Sequence, residues 1–230
     1  MDQIFSYEVA NSLSRQNVDE FHSQAVQFRE LMMMYTCAIK EVQTKLEILN
    51  EEFRVRSQRN PISTIKSRIK EPMSIFEKAN RKGYGLTFES IRKNMHDIAG
   101  IRVICPFVED IYSVAEMLTN QDDIQMLQIK DYIQHPKSNG YRSLHIVVEV
   151  PIFLSDRKEY MKVEVQIRTI AMDFWASLEH QIHYKKTIGE DDSRIVQELK
   201  ECADTIYRTD KKMESIRKKL NYVEEIQHVI

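Results

Sequence analysis

The chain has 230 residues, 42% of them hydrophobic and 30% charged, at a mean hydropathy of −0.46; that balance can bury a substantial core and excludes both a membrane domain and a disordered chain. Lysine plus arginine (33) nearly matches aspartate plus glutamate (35), for a net charge of −2, so a polyanion site has to be a local patch rather than a basic coat. Three scattered cysteines with no CxxC pair, and no cleavable apolar leader, point to a reducing cytoplasm instead of a disulfide or zinc framework, and five Gly and five Pro argue against a loop-rich all-β or repeat architecture.

From Val18 to Arg54 there is neither Gly nor Pro, and Phe21, Phe28, Tyr35, Val42 and Leu49 recur at heptad spacing with Ala25, Met32, Ile39, Leu46 and Phe53 behind them. This predicts a long amphipathic helix, capped near Asn17 or Asp19, whose stripe packs on its own domain or on a partner subunit. Between Arg54 and Lys82 stand nine basic residues and only two acidic ones. Such a run is either a solvated surface or a phosphate site. Pro61 and Pro72 punctuate it, and Ile62-Ile65-Ile69 followed by Ile75-Ala79 predict short helices with basic residues outward. Lys82-Gly83-Tyr84-Gly85 reads as a flexible turn without the spacing of a nucleotide-binding glycine loop.

The central segment alternates. Ile101–Cys105 predicts a strand, Val108–Leu118 a helix, Ile124–Ile133 a second strand and Leu144–Val150 a third. Phe153–Tyr160 reads as a polar connection to a strand over Lys162–Arg168, in which Val163, Val165 and Ile167 face the core while Lys162, Glu164, Gln166 and Arg168 face away. After Thr169 the chain turns helical through His180, breaks near Gly189, and resumes as a helix from Arg194 to about Tyr222.

Asp97 precedes the turn into the first central strand, Glu164 lies mid-strand on a polar face, and His135–His145 joins cations and an aromatic ring in one loop. Two carboxylates from separate elements suit Mg²⁺ that carries substrate phosphates, and one of them can accept a proton from an attacking hydroxyl. Asp97-Ile98-Ala99-Gly100-Ile101-Arg102, Asn139-Gly140-Tyr141-Arg142-Ser143-Leu144-His145 and Glu164-Val165-Gln166-Ile167-Arg168-Thr169 together resemble the synthetase domain of the RelA/SpoT-homologue superfamily. Ala171-Met172-Asp173-Phe174-Trp175-Ala176 is similar to the RelP-type branch of its small alarmone synthetases.

The resemblance implies an α/β (α+β) fold, with a mixed, mainly antiparallel sheet of about five strands, flanked by helices and related to nucleotidyltransferases. It implies a synthetase domain over residues 55–190 between helical extensions over 1–54 and 191–230. The reaction implied is transfer of the β,γ-pyrophosphoryl group of ATP to the 3′-hydroxyl of GTP or GDP with Mg²⁺, in a cytoplasmic homotetramer joined by its terminal helices, with no need for a membrane or nucleic acid. By the same resemblance Arg68 and Arg102 sandwich adenine, and Lys70, Ser74 and Lys78, four residues apart on one helical face, meet the ATP phosphates. Lys137, Asn139, Tyr141 and His145 serve the guanine nucleotide, Tyr141 by stacking and His145 farther along the same strand face. Asp97 and Glu164 hold the metal, Glu164 activates the hydroxyl, and Gln166 supports it. Asp173 is either a guanine acceptor or a helix cap. Glu179, His180 and His183 lack the partners of a zinc site, so they read as structural. His96-Asp97 leaves an HD-type phosphohydrolase as one alternative; a silent nucleotide- or RNA-binding helical module is the other.

Overall fold

The computed structural model describes residues 2–57, 59–185 and 192–227, with side chains over 23–56, 59–182 and 194–220. In chain order the elements are α1 (Asp2–Ser57), β1 (Thr64–Ile69), α2 (Pro72–Arg81), α3 (Phe88–Asn94), β2 (Ala99–Cys105), α4 (Val108–Thr119), β3 (Gln125–Asp131), β4 (Leu144–Phe153), β5 (Lys158–Thr169), α5 (Ile170–Lys185) and α6 (Asp192–Gln227). The five strands form one sheet in the order β1-β2-β5-β4-β3. Only β2 and β5 run parallel; the other neighbours are antiparallel. The mixed, mainly antiparallel sheet implied by the resemblance is therefore present.

One face of the sheet carries the core. Val163, Val165 and Ile167 of β5 are fully buried with Ile101, Val103, Ile146 and Val148 from its neighbours, and α1 and α4 pack over β2, β4 and β5. The part of α1 that does this is Leu31, Met34, Tyr35, Ala38, Ile39, Val42, Leu46 and Leu49, all buried. Of the two uses left open for the stripe, residues 31–49 serve their own domain. Burial of such a face is what stabilises a helix this long, since helix propensity alone does little.

The structure corrects four local expectations. The predicted start of α1 at Asn17 or Asp19 lies inside the helix, which already runs from Asp2; a residue that can cap need not do so where the chain before it is also helical. Ile62-Ile65-Ile69 is not helical: Thr64–Ile69 is an edge strand paired antiparallel with β2. Three isoleucines at helical spacing mimicked a helix face, yet Ile62 precedes the strand and hands its N–H to Asn50 Oδ1 at 3.2 Å. The connection expected at Phe153–Tyr160 shrinks to a turn, because β4 and β5 stay paired out to Phe153 and Lys158, and Leu154 N donates to Arg157 O at 2.8 Å. Arg168, expected on the open polar face, is only 2% exposed. Gly189 and the heptad side chain of Phe21 lie outside the described residues.

Candidate active site

Register builds the second face of the sheet into a site. Directly paired residues point to the same side, so Arg68, Gly100 and Glu164 form one row across β1, β2 and β5. Lys66, Arg102, Gln166, His145 and Lys130 form the next row, which continues through β4 to β3. Gly100 has no side chain between Arg68 and Glu164, and a Cβ there would touch the Arg68 side chain at 3.6 Å. The gap floors a cleft of about 170 Å³ lined by Lys66, Arg68, Asp97, Gly100, Arg102, Glu164 and Gln166.

Asp97 stands two residues before β2, at the end of the cleft nearest α2. Its Oδ2 accepts from Lys70 Nζ at 2.8 Å and pairs with Lys78 Nζ at 2.7 Å, while its Oδ1 is buried without a hydrogen-bond partner. Burial pushes the Asp97 carboxyl up, but the two lysines outweigh it and hold the group below the usual aspartate range. Lys70 lies in the link before α2, not on its face, so the expected single helical row of three is corrected: only Ser74 and Lys78 share a face of α2, and Lys70 reaches the same carboxylate from the strand side. The reason is Pro72, which starts the helix two residues later.

Glu164 is held from two sides. Gln166 Nε2 donates to its Oε2 at 2.8 Å, and His145 Nδ1 stands 3.6 Å from its Oε1. Burial raises this carboxyl, His145 and Gln166 lower it, and the net displacement is downward. Asp97 is close enough to oppose that displacement, so the two acidic groups share one electrostatic environment. Asp97 Oδ1 and Glu164 offer hard oxygen donors of the kind Mg²⁺ selects, few in number as expected when phosphates complete its shell.

The loop before β4 adjoins the cleft on the His145 side of Gln166. Tyr141 belongs to this loop and not to the strand, which begins at Leu144, so the expected common strand face with His145 is replaced by direct contact: Tyr141 Oη and His145 Nε2 are 2.8 Å apart. Lys137 Nζ lies 4.7 Å from the Tyr141 ring centre and 4.8 Å from that of Tyr132. Asn139 turns inward, donating to Glu179 Oε1 at 3.0 Å and accepting from Tyr141 N at 3.1 Å, and so shapes the loop. Gly140 has φ +91°, and a Cβ there would come within 2.6 Å of Ala203 Cβ in α6.

Asp173 is not the cap of α5. Thr169 holds that place, with its Oγ1 accepting from Met172 N at 3.1 Å. Asp173 Oδ1 instead sits between Arg102 Nη1 at 3.6 Å and Arg168 Nη1 at 3.5 Å. Sequence reasoning gave Arg168 no role, because strand alternation assigns it a polar face without saying that α5 and the loop close over that face. Its signal was the period of two that it shares with Glu164 and Gln166. Glu179 is engaged with Asn139, and the His183 side chain lies outside the described residues. His96-Asp97 heads a sheet strand, and Asp97 turns to the two lysines, an arrangement that gives the hydrolase alternative no support.

Comparison with known proteins points one way. The family described as "Region found in RelA / SpoT proteins" matches residues 67–189. The GTP pyrophosphokinase YwaC of Bacillus subtilis (strain 168) is 42% identical over 209 residues, 91% of this chain and 99% of that protein. Among solved structures, small alarmone synthetase 2 from Bacillus subtilis superposes with a TM-score of 0.76 at 44% identity, over 84% of this chain and 98% of that one. Small alarmone synthetase 1 from the same organism, bound to its product pppGpp, gives 0.76 at 35% identity, over 84% and 97%.

Proposed function

Because the chain belongs to the family of the region found in RelA / SpoT proteins, we infer that it is a GTP pyrophosphokinase, an alarmone synthetase that moves the β,γ-pyrophosphoryl group of ATP to the 3′-hydroxyl of GTP or GDP and releases AMP. The observation that carries this reading is the cleft itself, with a lysine-held Asp97 and a hydrogen-bonded Glu164 beside Arg68 and Arg102, and with Tyr141 reached through His145 at its edge.

On the arginine side, Arg68 and Arg102 come from adjacent strands, and planar guanidiniums suit the two faces of adenine as ammonium groups do not. Lys70, Ser74 and Lys78 meet the phosphates, with the lysines passing from Asp97 to the incoming anion. On the other side Tyr141 is a platform for guanine; Lys137, exposed above it, and His145 beside it serve the acceptor's phosphates. Asn139 holds the loop in shape. Asp173 is an acceptor for the guanine edge, reached once the base lies on Tyr141.

The bond that forms joins the 3′-oxygen to the β-phosphorus, and the bond that breaks joins that phosphorus to the oxygen kept by AMP. Glu164 is ionised at neutral pH because its partners hold its pKa down, so it can take the hydroxyl proton. Asp97 and Glu164 would hold Mg²⁺, which supplies charge neutralisation for the transferring phosphates.

The chain works in the cytoplasm, in keeping with free Cys37, Cys105 and Cys202; no helix among the described residues is long and apolar enough to cross a membrane. It assembles as a homotetramer through its terminal helices. The test is incubation with Mg²⁺, ATP and GTP: AMP and a 3′-pyrophosphorylated guanosine nucleotide should appear in equal amounts. Guanine nucleotide consumed without AMP would favour a hydrolase, and no turnover would favour a binding module.

A further inference from the structure

We propose that Arg168 is a positioning residue for the transfer: from its buried place it orients the Gln166 amide that holds Glu164, and it backs the Tyr141 face that receives the guanine. This rests on the reading of the cleft given above.

Arg168 is 2% exposed, and burial displaces its pKa downward. An interior cation of this kind is poor evidence for a stabilising role, because a well-packed apolar side chain often serves stability as well or better. What it touches gives another reason for it. Nη2 donates to Gln166 Oε1 at 2.9 Å, Nη1 stands 3.5 Å from Asp173 Oδ1, and the guanidinium carbon lies 5.7 Å from the centre of the Tyr141 ring.

The contact with Gln166 decides an orientation. A glutamine amide has one accepting and one donating end, and the two are nearly equal in shape. An arginine only donates, so it can meet Gln166 at the oxygen alone. That leaves the amide NH₂ for Glu164 Oε2, at 2.8 Å. Turned over, Gln166 would aim its oxygen at the carboxylate and lose both bonds. Residues 164, 166 and 168 alternate along one face of β5, so the lock passes down the strand without leaving it. The guanidinium also lies against Tyr141, and the same side chain therefore ties the acceptor base's platform to the carboxylate that takes the acceptor's proton.

Steady-state kinetics on Arg168→Met, Gln166→Met and the double variant test this. Each single variant should lose roughly tenfold or more in kcat, as the removal of an outer partner of a reacting group commonly does. The double variant should be no slower than the worse single, because Arg168 acts through Gln166. The KM for GTP should rise in Arg168→Met and stay near wild type in Gln166→Met, with the KM for ATP unchanged in both. Losses that multiply in the double variant, or a KM for ATP that rises with that for GTP, would overturn the proposal. If Arg168→Met does not fold, Gln166→Met decides alone, and a wild-type kcat in that variant would overturn it. A wild-type protein that releases no AMP defeats the parent reading instead, so the two failures are distinct.

Discussion

At the scale of single residues, charge is the main determinant of the site. Asp97 is ionised well into the acid range because Lys70 and Lys78 share its Oδ2. Its folded pKa lies below its unfolded one, so the stability it contributes is complete above about pH 4 and is lost as pH falls through the folded value. Asp97→Asn should therefore be less stable than wild type at neutral pH, and the difference should narrow as pH falls through the folded value; urea melts at neutral and at acid pH measure it, and a gap of equal size in acid would mean that the lysine pairs are not its source. Glu164→Gln keeps the shape and removes the charge, and should cost at least ~10²-fold in kcat. Near-full turnover in that variant would remove Glu164 from the proton step. These two carboxylates were legible in the sequence because polar residues at such places on a strand and before one are conspicuous. Arg168 was not, since its burial comes from the loop and α5 above it, which no strand pattern encodes.

Elements show where local pattern stops being enough. β2, β4 and β5 announce themselves as runs of β-branched residues, and their observed spans contain the expected ones. β1 does not: it is an edge strand with most side chains exposed, and its identity comes from pairing with β2, whose partners lie 30 to 40 residues on. The docking of α6 was equally unreadable. Trp175 Nε1 donates to Leu199 O at 2.9 Å, Arg142 Nη2 to Asp204 at 3.0 Å, Thr169 Oγ1 to Asp210 at 2.5 Å, and Glu109 N at the start of α4 to Glu214 Oε1 at 2.8 Å. This seam lies behind the tyrosine loop, and Gly140 sits where a side chain would run into Ala203 and Lys200. Gly140→Ala forces a side chain into positive φ and against Ala203, so it should cost at least ~1 kcal/mol and lower Tm by about 2–4 °C or more. Adding Ala203→Gly should return part of that loss, because it removes the facing methyl. Thermal melts of both variants check the pair; an unchanged Tm for Gly140→Ala would mean that α6 does not press on the loop.

For the whole molecule, the question is which apolar surface remains once each chain is folded. The heptad stripe of α1 suggested a seam through Met32 and Ile39, but Ile39 is 6% exposed inside its own core and Met32 packs against the same cluster. A charge at Ile39 would therefore attack the fold of each subunit, at the cost usual for an unpaired buried charge, and would say nothing about assembly. Exposed apolar side chains lie on other faces, among them that of α6. On α6, Met213, Ile216 and Leu220 are 53%, 43% and 60% exposed at helical spacing, which gives a stripe with no covering element among the described residues. A closed homotetramer would bury such stripes without leaving an open edge. Met213→Glu with Ile216→Glu should leave the helix content of each subunit intact, since both positions already meet solvent in the single chain, and should shift sedimentation to smaller species. The same sedimentation in variant and wild type would take α6 out of the interface, and a wild-type protein that runs as a monomer at micromolar concentration would remove the tetramer altogether.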